Sequence, residues 1–157
     1  MAGEANAATI ERLYAAMGSH DGEAMAACYA EGATFTDPVF VGLRDGETQD
    51  MWRMLVGRSR DMTVELVEHA VDGDTGTANW VARYTFGQTG RPVVNDVRSM
   101  FRFDDAGLIV EQLDDFDFWR WARQALGPVG LLFGWTPVVQ HSVRDKARAG
   151  LAAFRDH

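Results

Sequence analysis

Four segments between residues 62 and 116 alternate apolar and polar side chains, and this pattern constrains the fold more than any other feature. The alternation predicts strands at 62–71, 77–86, 92–103 and 108–116. The links between them, DGDTG, GQTG and DDAG, are built from turn-forming residues. Because long strands joined by short turns pair with their neighbours, we predict an antiparallel meander.

Helical patterns precede the meander. Apolar side chains recur at helical spacing over 6–19, which predicts a first helix. Asp21 is a good N-cap for a second helix, which would carry Cys28 and Tyr29. Asp45 is expected to cap a third helix, with Trp52 on its apolar face. Helices followed by strands indicate an α+β fold: a curved antiparallel sheet with helices packed on one face.

The chain has 157 residues, which suits one main domain, and we place this domain at 1–125. A short aromatic helix is expected at 118–126. Residues 126–157 then form a C-terminal segment: an apolar stretch rich in glycine and proline, followed by an amphipathic helix that Thr136 and Pro137 begin. We expect this segment to pack over the core or a neighbouring subunit, because an interfacial membrane helix would be more basic.

The net charge of −8 and the pI near 4.9 argue against nucleic acid as a partner, since binding to phosphates needs cations. No stretch approaches the roughly 20 apolar residues of a membrane span. The N-terminal residues lack the basic region of a signal peptide. One cysteine, Cys28, fits a reducing compartment, so we expect a cytoplasmic protein.

Common cofactor and nucleophile motifs are missing from the sequence. The four histidines are scattered without metal-ligand spacing, so no metal site is predicted. There is no GxSxG, and the glycine-containing turns do not open a helix as phosphate-binding loops do. We therefore predict chemistry without a cofactor, carried by carboxylates and phenols.

Asp37 is the first candidate, in the segment YAEGATFTDPVF. Pro38 pushes the preceding residue into extended geometry, so Asp37 is expected to finish a strand. Alternation places its side chain on the same face as Ala33 and Phe35. If that face is buried, the pKa of the carboxyl rises and Asp37 becomes a poised proton acceptor. A strand-end aspartate that bonds to the neighbouring turn is the alternative.

Asp114 is the second candidate for a buried acid, because it shares a strand face with Gln112 and Phe116. The opposite face of the sheet has mixed charge, which could pair across a two-fold axis and predicts a homodimer. The residues on that outer face are Arg83, Arg98, Arg102, Glu111 and Asp115.

Four sequence features together resemble the nuclear transport factor 2-like superfamily over about residues 8–121. They are Tyr14 in the first helix and the segments YAEGATFTDPVF, LRDGETQDMWRMLVG and SMFRFDDAGLIVEQ. Ketosteroid isomerases and SnoaL-like polyketide cyclases are the most similar members by motif. The resemblance implies a cone-shaped α+β barrel, in which helices close a curved sheet over a deep apolar pocket.

The same resemblance implies roles for individual residues. Asp37 matches the general base of the isomerases, and Tyr14 matches the tyrosine that donates a hydrogen bond to the substrate oxygen. Tyr29 matches a second tyrosine and Trp52 stands in the place of a third. Ser99 stands where the isomerases have a protonated aspartic acid, and a serine is a weaker donor for a developing oxyanion.

The chain also resembles limonene-epoxide-hydrolase-like enzymes, which activate water with an Asp–Arg–Asp arrangement. Asp114 matches one of those acids. Arg83 matches the arginine, but Thr85 stands where the other acid is expected, so the arrangement is incomplete.

These observations predict cofactor-independent acid–base catalysis, of the isomerase or cyclase type, on an apolar small molecule bearing a carbonyl or similar group. Epoxide opening and a non-catalytic ligand-binding or interaction domain are the alternatives. The predicted catalytic residues are Asp37, Tyr14, Asp114 and Ser99. The predicted substrate-binding residues are Tyr29, Trp52, Trp80, Tyr84, Phe101, Phe116 and Phe35.

Overall fold

The computed structural model describes residues 2–156, which form six helices and five strands. The helices are α1 (Ala2–Gly18), α2 (Gly22–Ala26), α3 (Glu47–Arg58), α4 (Phe118–Leu126), α5 (Pro128–Phe133) and α6 (Pro137–Arg155). The strands are β1 (Tyr29–Thr36), β2 (Thr63–Asp72), β3 (Thr75–Phe86), β4 (Arg91–Phe103) and β5 (Ile109–Asp115). The predicted bounds of the four meander strands agree with these to within two residues.

The five strands form one curved, unclosed sheet in the order β1-β5-β4-β3-β2. Strands β2 to β5 pair antiparallel, as the alternation predicts. The expectation of a wholly antiparallel sheet is wrong at one edge, where β1 pairs parallel with β5. Alternation along β1 specifies which face is buried, but not the direction in which the strand joins its neighbour. The predicted α+β class, a curved sheet with helices, is confirmed.

One face of the sheet is covered by helices. Ile10, Leu13 and Met17 of α1 are almost completely buried, and so is Met51 of α3. Burying an aliphatic side chain of this size contributes about 1.5–3 kcal/mol before the entropy of ordering is subtracted. The helical spacing of these residues therefore accounts for both the helix and the face that it buries.

For the second helix, the predicted N-cap is correct and the predicted extent is wrong. Asp21 does cap α2, where its carboxylate accepts a hydrogen bond from the Ala24 N–H at 3.0 Å. However, α2 ends at Ala26, and Tyr29 opens β1 opposite Ile109, so Cys28 and Tyr29 do not lie in a helix. Pairing with β5 decides the conformation of Tyr29 against its helical surroundings.

Asp45 is not the cap of α3. Asp45 and Gly46 both adopt left-handed backbone conformations, with φ of 56° and 87°, and α3 begins at Glu47 without a side-chain cap. The left-handed turn removes Asp45 from the position that a capping side chain needs.

The C-terminal helices pack against the rest of the fold. Gly130 of α5 approaches the Ala122 carbonyl so closely that a Cβ would lie 1.8 Å from that oxygen, so only glycine fits there. Arginines along α6 hold the connection between β1 and α3: Arg144 Nε donates to the Pro38 carbonyl at 2.9 Å, and Arg148 Nη2 to the Val41 carbonyl at 3.0 Å. Among residues 2–156, no helix has the length and apolar character needed to cross a bilayer.

Candidate active site

A cavity of about 580 Å³ lies between the sheet, α3 and α6. Its lining is mainly apolar and aromatic, which is typical of small-molecule sites. Six of the predicted site residues line it: Asp37, Asp114, Trp52, Trp80, Tyr84 and Phe116. A ligand in this cavity would therefore contact two carboxyl groups against a largely apolar wall.

Asp37 lies directly after β1 and is half-buried. Its Oδ1 accepts hydrogen bonds from the backbone N–H groups of Val39, at 2.7 Å, and Phe40, at 2.6 Å. Its own N–H donates to the Phe40 carbonyl at 2.7 Å. Asp37 is thus bound by the neighbouring turn through one carboxylate oxygen, and its side chain also lines the cavity.

The pKa of Asp37 is raised to about 6, and burial of the carboxyl group is the largest cause. The two backbone donors and the charge of Arg144 act in the opposite direction, since they favour the carboxylate. Asp37 is thus ionised at neutral pH, yet it is a much stronger base than an ordinary aspartate.

Asp114 lies in β5 with only 7% of its surface exposed. Its Oδ1 accepts hydrogen bonds from Ser99 Oγ at 2.5 Å and from Gln112 Nε2 at 2.9 Å. The pKa of Asp114 is raised to about 7: burial and, to a smaller extent, the negative charge of Asp37 raise it, while the hydrogen bonds from Ser99 and Gln112 lower it. Near neutral pH, Asp114 therefore exists in both its protonated and its ionised form.

The direction of the hydrogen bonds at Ser99 follows from proton counting. Trp80 Nε1 can only donate, and it lies 2.8 Å from Ser99 Oγ. With Asp114 ionised, the single hydroxyl hydrogen of Ser99 goes to Asp114. The Tyr14 hydroxyl, 2.8 Å from Ser99 Oγ, must then donate to Ser99 as well. Ser99 Oγ therefore accepts hydrogen bonds from Tyr14 and Trp80 and donates one to Asp114.

A second chain of donors reaches the same oxygen of Asp114. Tyr29 donates its hydroxyl hydrogen to Gln112 Oε1 at 2.6 Å, and Gln112 in turn donates to Asp114. Tyr14, Tyr29, Ser99 and Gln112 are all buried. The carboxylate of Asp114 is therefore solvated by protein donors instead of water.

The structure does not bring every predicted residue to the cavity surface. Tyr14 and Ser99 lie behind Trp80 and Asp114 and bond to each other, so Tyr14 has its hydroxyl hydrogen directed at Ser99. Of the other predicted substrate contacts, three are core residues that do not line the cavity: Tyr29, Phe35 and Phe101. Alternation specifies the face of the sheet but not the depth of a side chain: Phe35 packs edge-on against Trp52, and Trp52 is the one of the two that lines the cavity.

Tyr84 is the tyrosine that lines the cavity. Its hydroxyl oxygen accepts a hydrogen bond from Trp121 Nε1 at 2.8 Å. Because indole can only donate, the hydroxyl hydrogen of Tyr84 stays available to a ligand. Burial raises the pKa of Tyr84, and the nearby charge of Asp37 raises it further, so the phenol is protonated at neutral pH.

Sequence reasoning missed several residues that line the cavity. Helix α6 contributes an apolar face, for which the spacing of Val139, Val143 and Ala147 was the available signal. Polar and cationic lining residues had no such signal, because nothing in the sequence connects distant elements. These residues are Arg58, Ser59, Thr85, Gln88, Asn95, Ser142 and Lys146. Gln112 was placed on the face of Asp114, but its bonds to Tyr29 and Asp114 depend on tertiary structure.

The fold and the site together define a class: an α+β protein in which helices and a curved sheet enclose an apolar cavity with two acids of raised pKa. Within residues 2–156, no three histidine, cysteine or acidic side chains converge as a metal site would require. The chain belongs to the SnoaL-like domain family, whose model matches residues 10–112. Among the curated proteins, none has a sequence that matches this chain.

Solved structures with the same fold carry several activities in their descriptions. An LEH-like epoxide hydrolase from M. tuberculosis has 22% identity and a TM-score of 0.67, over 83% of this chain and 96% of its own. IdmH from Streptomyces antibioticus, a proposed polyketide cyclase, has 25% identity and a TM-score of 0.64, over 76% and 96%. The pinacolase BvnE from Penicillium brevicompactum has 15% identity and a TM-score of 0.62, over 73% and 84%. The fold is shared, and the reactions differ.

Proposed function

We propose that this protein is a cofactor-independent acid–base enzyme, acting on an apolar small molecule that bears a carbonyl or similar group. The observation that supports this most is the presence of two carboxyl groups, with pKa values raised to about 6 and about 7, in one apolar cavity. Two acids whose pKa values lie apart and near neutrality can divide the roles of base and acid between them. The SnoaL-like family and the structural relatives are consistent with small-molecule chemistry of this kind.

In this proposal Asp37 is the general base, because its lower pKa leaves it ionised at neutral pH. It removes a proton from a carbon next to the carbonyl, and the electron pair moves onto the carbonyl oxygen. Tyr84 and protonated Asp114 donate hydrogen bonds to that oxygen as charge develops there. In a substrate with a double bond between the second and third carbons from the carbonyl, Asp37 then returns the proton to the third carbon. The electron pair leaves the oxygen, the carbonyl re-forms and the double bond shifts by one position, so the isomerisation is balanced without a co-reactant.

Tyr14 and Ser99 act through Asp114 in this scheme. Their hydrogen bonds fix the carboxyl group and stabilise its ionised form, which keeps its pKa within reach of neutrality. Tyr14 is then a positioning residue, and the direct donor to the substrate oxygen is Tyr84. This differs from the role that the resemblance implies for Tyr14.

The test uses 5-nitro-1,2-benzisoxazole, an apolar probe whose ring opens when a base removes one C–H proton. The N–O bond breaks in the same step, and the phenolate product is followed by its absorbance. We expect turnover to rise with pH through an apparent pKa near 6, and to fall about 100-fold or more in Asp37→Asn. Tyr84→Phe should lower kcat by on the order of 100-fold, as expected when one donor to a developing anion is lost.

Tyr14→Phe is the matched control for Tyr84→Phe, since each change removes one phenol hydroxyl, from a buried tyrosine in the control and from the half-buried tyrosine that lines the cavity in the test. It should change kcat less than Tyr84→Phe does, and should shift the pH dependence instead. Unchanged turnover in Asp37→Asn, or a rate without inflection near pH 6, would overturn the proposal. Equal losses of kcat in the two tyrosine variants would remove the specific role of Tyr84.

Epoxide opening is the second candidate, because an ionised acid can activate water while a protonated acid donates to the epoxide oxygen. Arg83, which matches the arginine of the epoxide hydrolases, is exposed and does not line the cavity. Styrene oxide in ¹⁸O-labelled water separates the two reactions. A labelled diol supports the hydrolase, whereas turnover of the benzisoxazole without diol formation supports the isomerase type.

A further inference from the structure

Two cations line the cavity where it opens to solvent. Arg58 is the last residue of α3 and Lys146 lies in the middle of α6, and both side chains are exposed. They contrast with the other charged groups of the lining, Asp37 and Asp114, which are half-buried and buried. The cavity therefore has an acidic interior and a basic mouth.

The two cations face the same place. A Cβ built on Gly150 would lie 3.6 Å from Arg58 Nη1, so the guanidinium rests against α6 at Gly150. Lys146 precedes Gly150 by four residues, which puts both on one face of the helix. Ser142, one further turn back, and Ser59, next to Arg58, also line the mouth. Two cations and two hydroxyls thus surround the opening.

Neither cation forms an ion pair with another residue of the described part of the chain. Among residues 2–156, no ion pair joins Arg58 or Lys146 to an acid, whereas Arg148 and Arg155 in the same helix both pair with Glu47. Asp50 on α3 is bound by Arg53 and Arg155. Asp61, three residues after Arg58 in the sequence, accepts hydrogen bonds from the backbone N–H and the hydroxyl of Thr85.

Lys146 is also the only lysine of a chain whose net charge is −8. Long-range repulsion from this net charge would weaken the binding of any anion. An unpaired Arg–Lys pair at the entrance reverses the sign of the field locally, over roughly the 8–10 Å of the Debye length at moderate salt. Such an arrangement selects for a ligand with an anionic end.

We propose that the ligand of this cavity is an amphiphile: an apolar body that occupies the interior and a terminal anionic group, of the carboxylate kind, held at the mouth by Arg58 and Lys146. The inference rests on the proposed function for the role of the interior, but it concerns binding and needs no turnover. The substrates in this proposal are apolar carboxylic acids whose reactive group lies at the end opposite the carboxylate.

The test compares 4-phenylbutyrate, 4-phenylbutanol and 4-phenylbutylamine, which share one apolar body and differ in the charge of one end. Binding is measured by calorimetry and by the fluorescence of the tryptophans that line the cavity. We expect the carboxylate to bind about fivefold or more tightly than the alcohol, and the amine most weakly, since exposed charge pairs have modest individual effects. Raising the salt concentration should remove the preference.

In the double variant Arg58→Gln/Lys146→Met, the carboxylate and the alcohol should bind equally. Arg60→Gln is the matched control, because Arg60 is exposed, lies two residues from Arg58 and does not line the cavity. It changes the net charge but should keep the preference. A wild-type protein without preference, a preference that survives in the double variant, or one lost equally in Arg60→Gln would overturn the proposal.

These outcomes are independent of the test for catalysis. The phenylbutyl probes do not react, so a failed benzisoxazole assay leaves their binding data valid. Conversely, the benzisoxazole carries no anionic end, so turnover by the wild-type protein stands even if the mouth shows no preference for carboxylates.

Discussion

The two cavity acids are held in different ways. Asp37 bonds to backbone N–H groups two and three residues further along its own turn. Asp114 bonds to side chains, and the donors behind it come from α1, β1, β3, β4 and β5. The first environment is local in sequence and the second is assembled by the fold. The hydrogen-bond donors of Asp37 belong to the backbone, whereas those of Asp114 can be removed one side chain at a time.

The pKa values of the two acids therefore respond differently to side-chain substitution. Burial raises the pKa of Asp37, and the backbone donors that oppose it cannot be deleted by a point substitution, so Arg144 is the one side chain among these influences. The donors at Asp114 are themselves hydroxyl and amide groups with further partners. The pKa of Asp114 can therefore be changed by ordinary side-chain substitutions at Ser99 and Gln112.

The largest effect should come from Ser99→Ala, which breaks the network at the point where its bonds meet. The change leaves the Tyr14 hydroxyl and the Trp80 N–H buried without their acceptor, and it removes a donor from Asp114. We expect a loss of about 3 kcal/mol in the free energy of unfolding, since each buried unsatisfied group costs roughly 1–3 kcal/mol. Urea unfolding measures it.

Ser19→Ala is the control for this change. Ser19 is exposed and its hydroxyl bonds only to the Ala15 carbonyl within the described chain. Its loss should cost less than about 0.5 kcal/mol. If Ser99→Ala proved equally mild, the network would not be the support that distinguishes Asp114 from Asp37.

The next effect concerns the pH dependence of stability. The pKa of Asp114 is about 7 in the folded protein and near 3.8 when unperturbed, so between these values the folded state holds a proton that the unfolded chain has released. Stability from this group is therefore complete below pH 4 and is lost as the pH rises through 7. Between pH 5 and pH 8 we expect it to cost on the order of 2 kcal/mol.

Asp114→Asn should remove that part of the pH dependence while keeping an acceptor for Ser99 and Gln112. The measurement is the difference in unfolding free energy between wild type and variant, taken from pH 5 to pH 8. The difference should change steadily across this range in favour of the variant. A constant difference would mean that Asp114 titrates like an exposed acid.

The smallest effect should come from Arg144→Gln, which probes Asp37 through the helix that covers the cavity. Arg144 bonds to the Pro38 carbonyl, and its charge lowers the pKa of Asp37. Without it, the pKa of Asp37 should rise and the pH profile of turnover should move upwards, with a stability loss of no more than about 1 kcal/mol. Carboxyl ¹³C NMR follows the titration directly.

Arg148→Gln is the control here, because Arg148 makes the same kind of bond to Val41 but is not among the groups that influence Asp37. It should leave the titration of Asp37 where it is. Equal shifts in both variants would mean that α6 acts on Asp37 by general charge and not through Arg144.

The elements differ in how far the sequence predicted them. The meander strands carry their own alternation and turn residues, so their extents were predictable. The bounds of β1 were not, because Tyr29 follows a helix and is extended only by pairing with Ile109. By contrast, Asp37 was predictable as a turn-bound acid at a strand end, because Pro38 and the turn lie next to it in the sequence. Whether Tyr14 or Tyr84 reaches the cavity was not, because both follow an apolar face pattern.

The amino-acid order alone determined the extents of the four meander strands, which faces are apolar, and that Asp37 follows a strand and lies in a turn. These follow from interactions between near neighbours: side-chain period, the backbone restriction before proline, and turn donors. Only the tertiary structure decided which acid receives the buried donors, which phenol lines the cavity, and that α6 brings Lys146 to the same cavity as Arg58. Those outcomes depend on distances between residues far apart in the chain, which packing and sheet curvature set and no local pattern encodes.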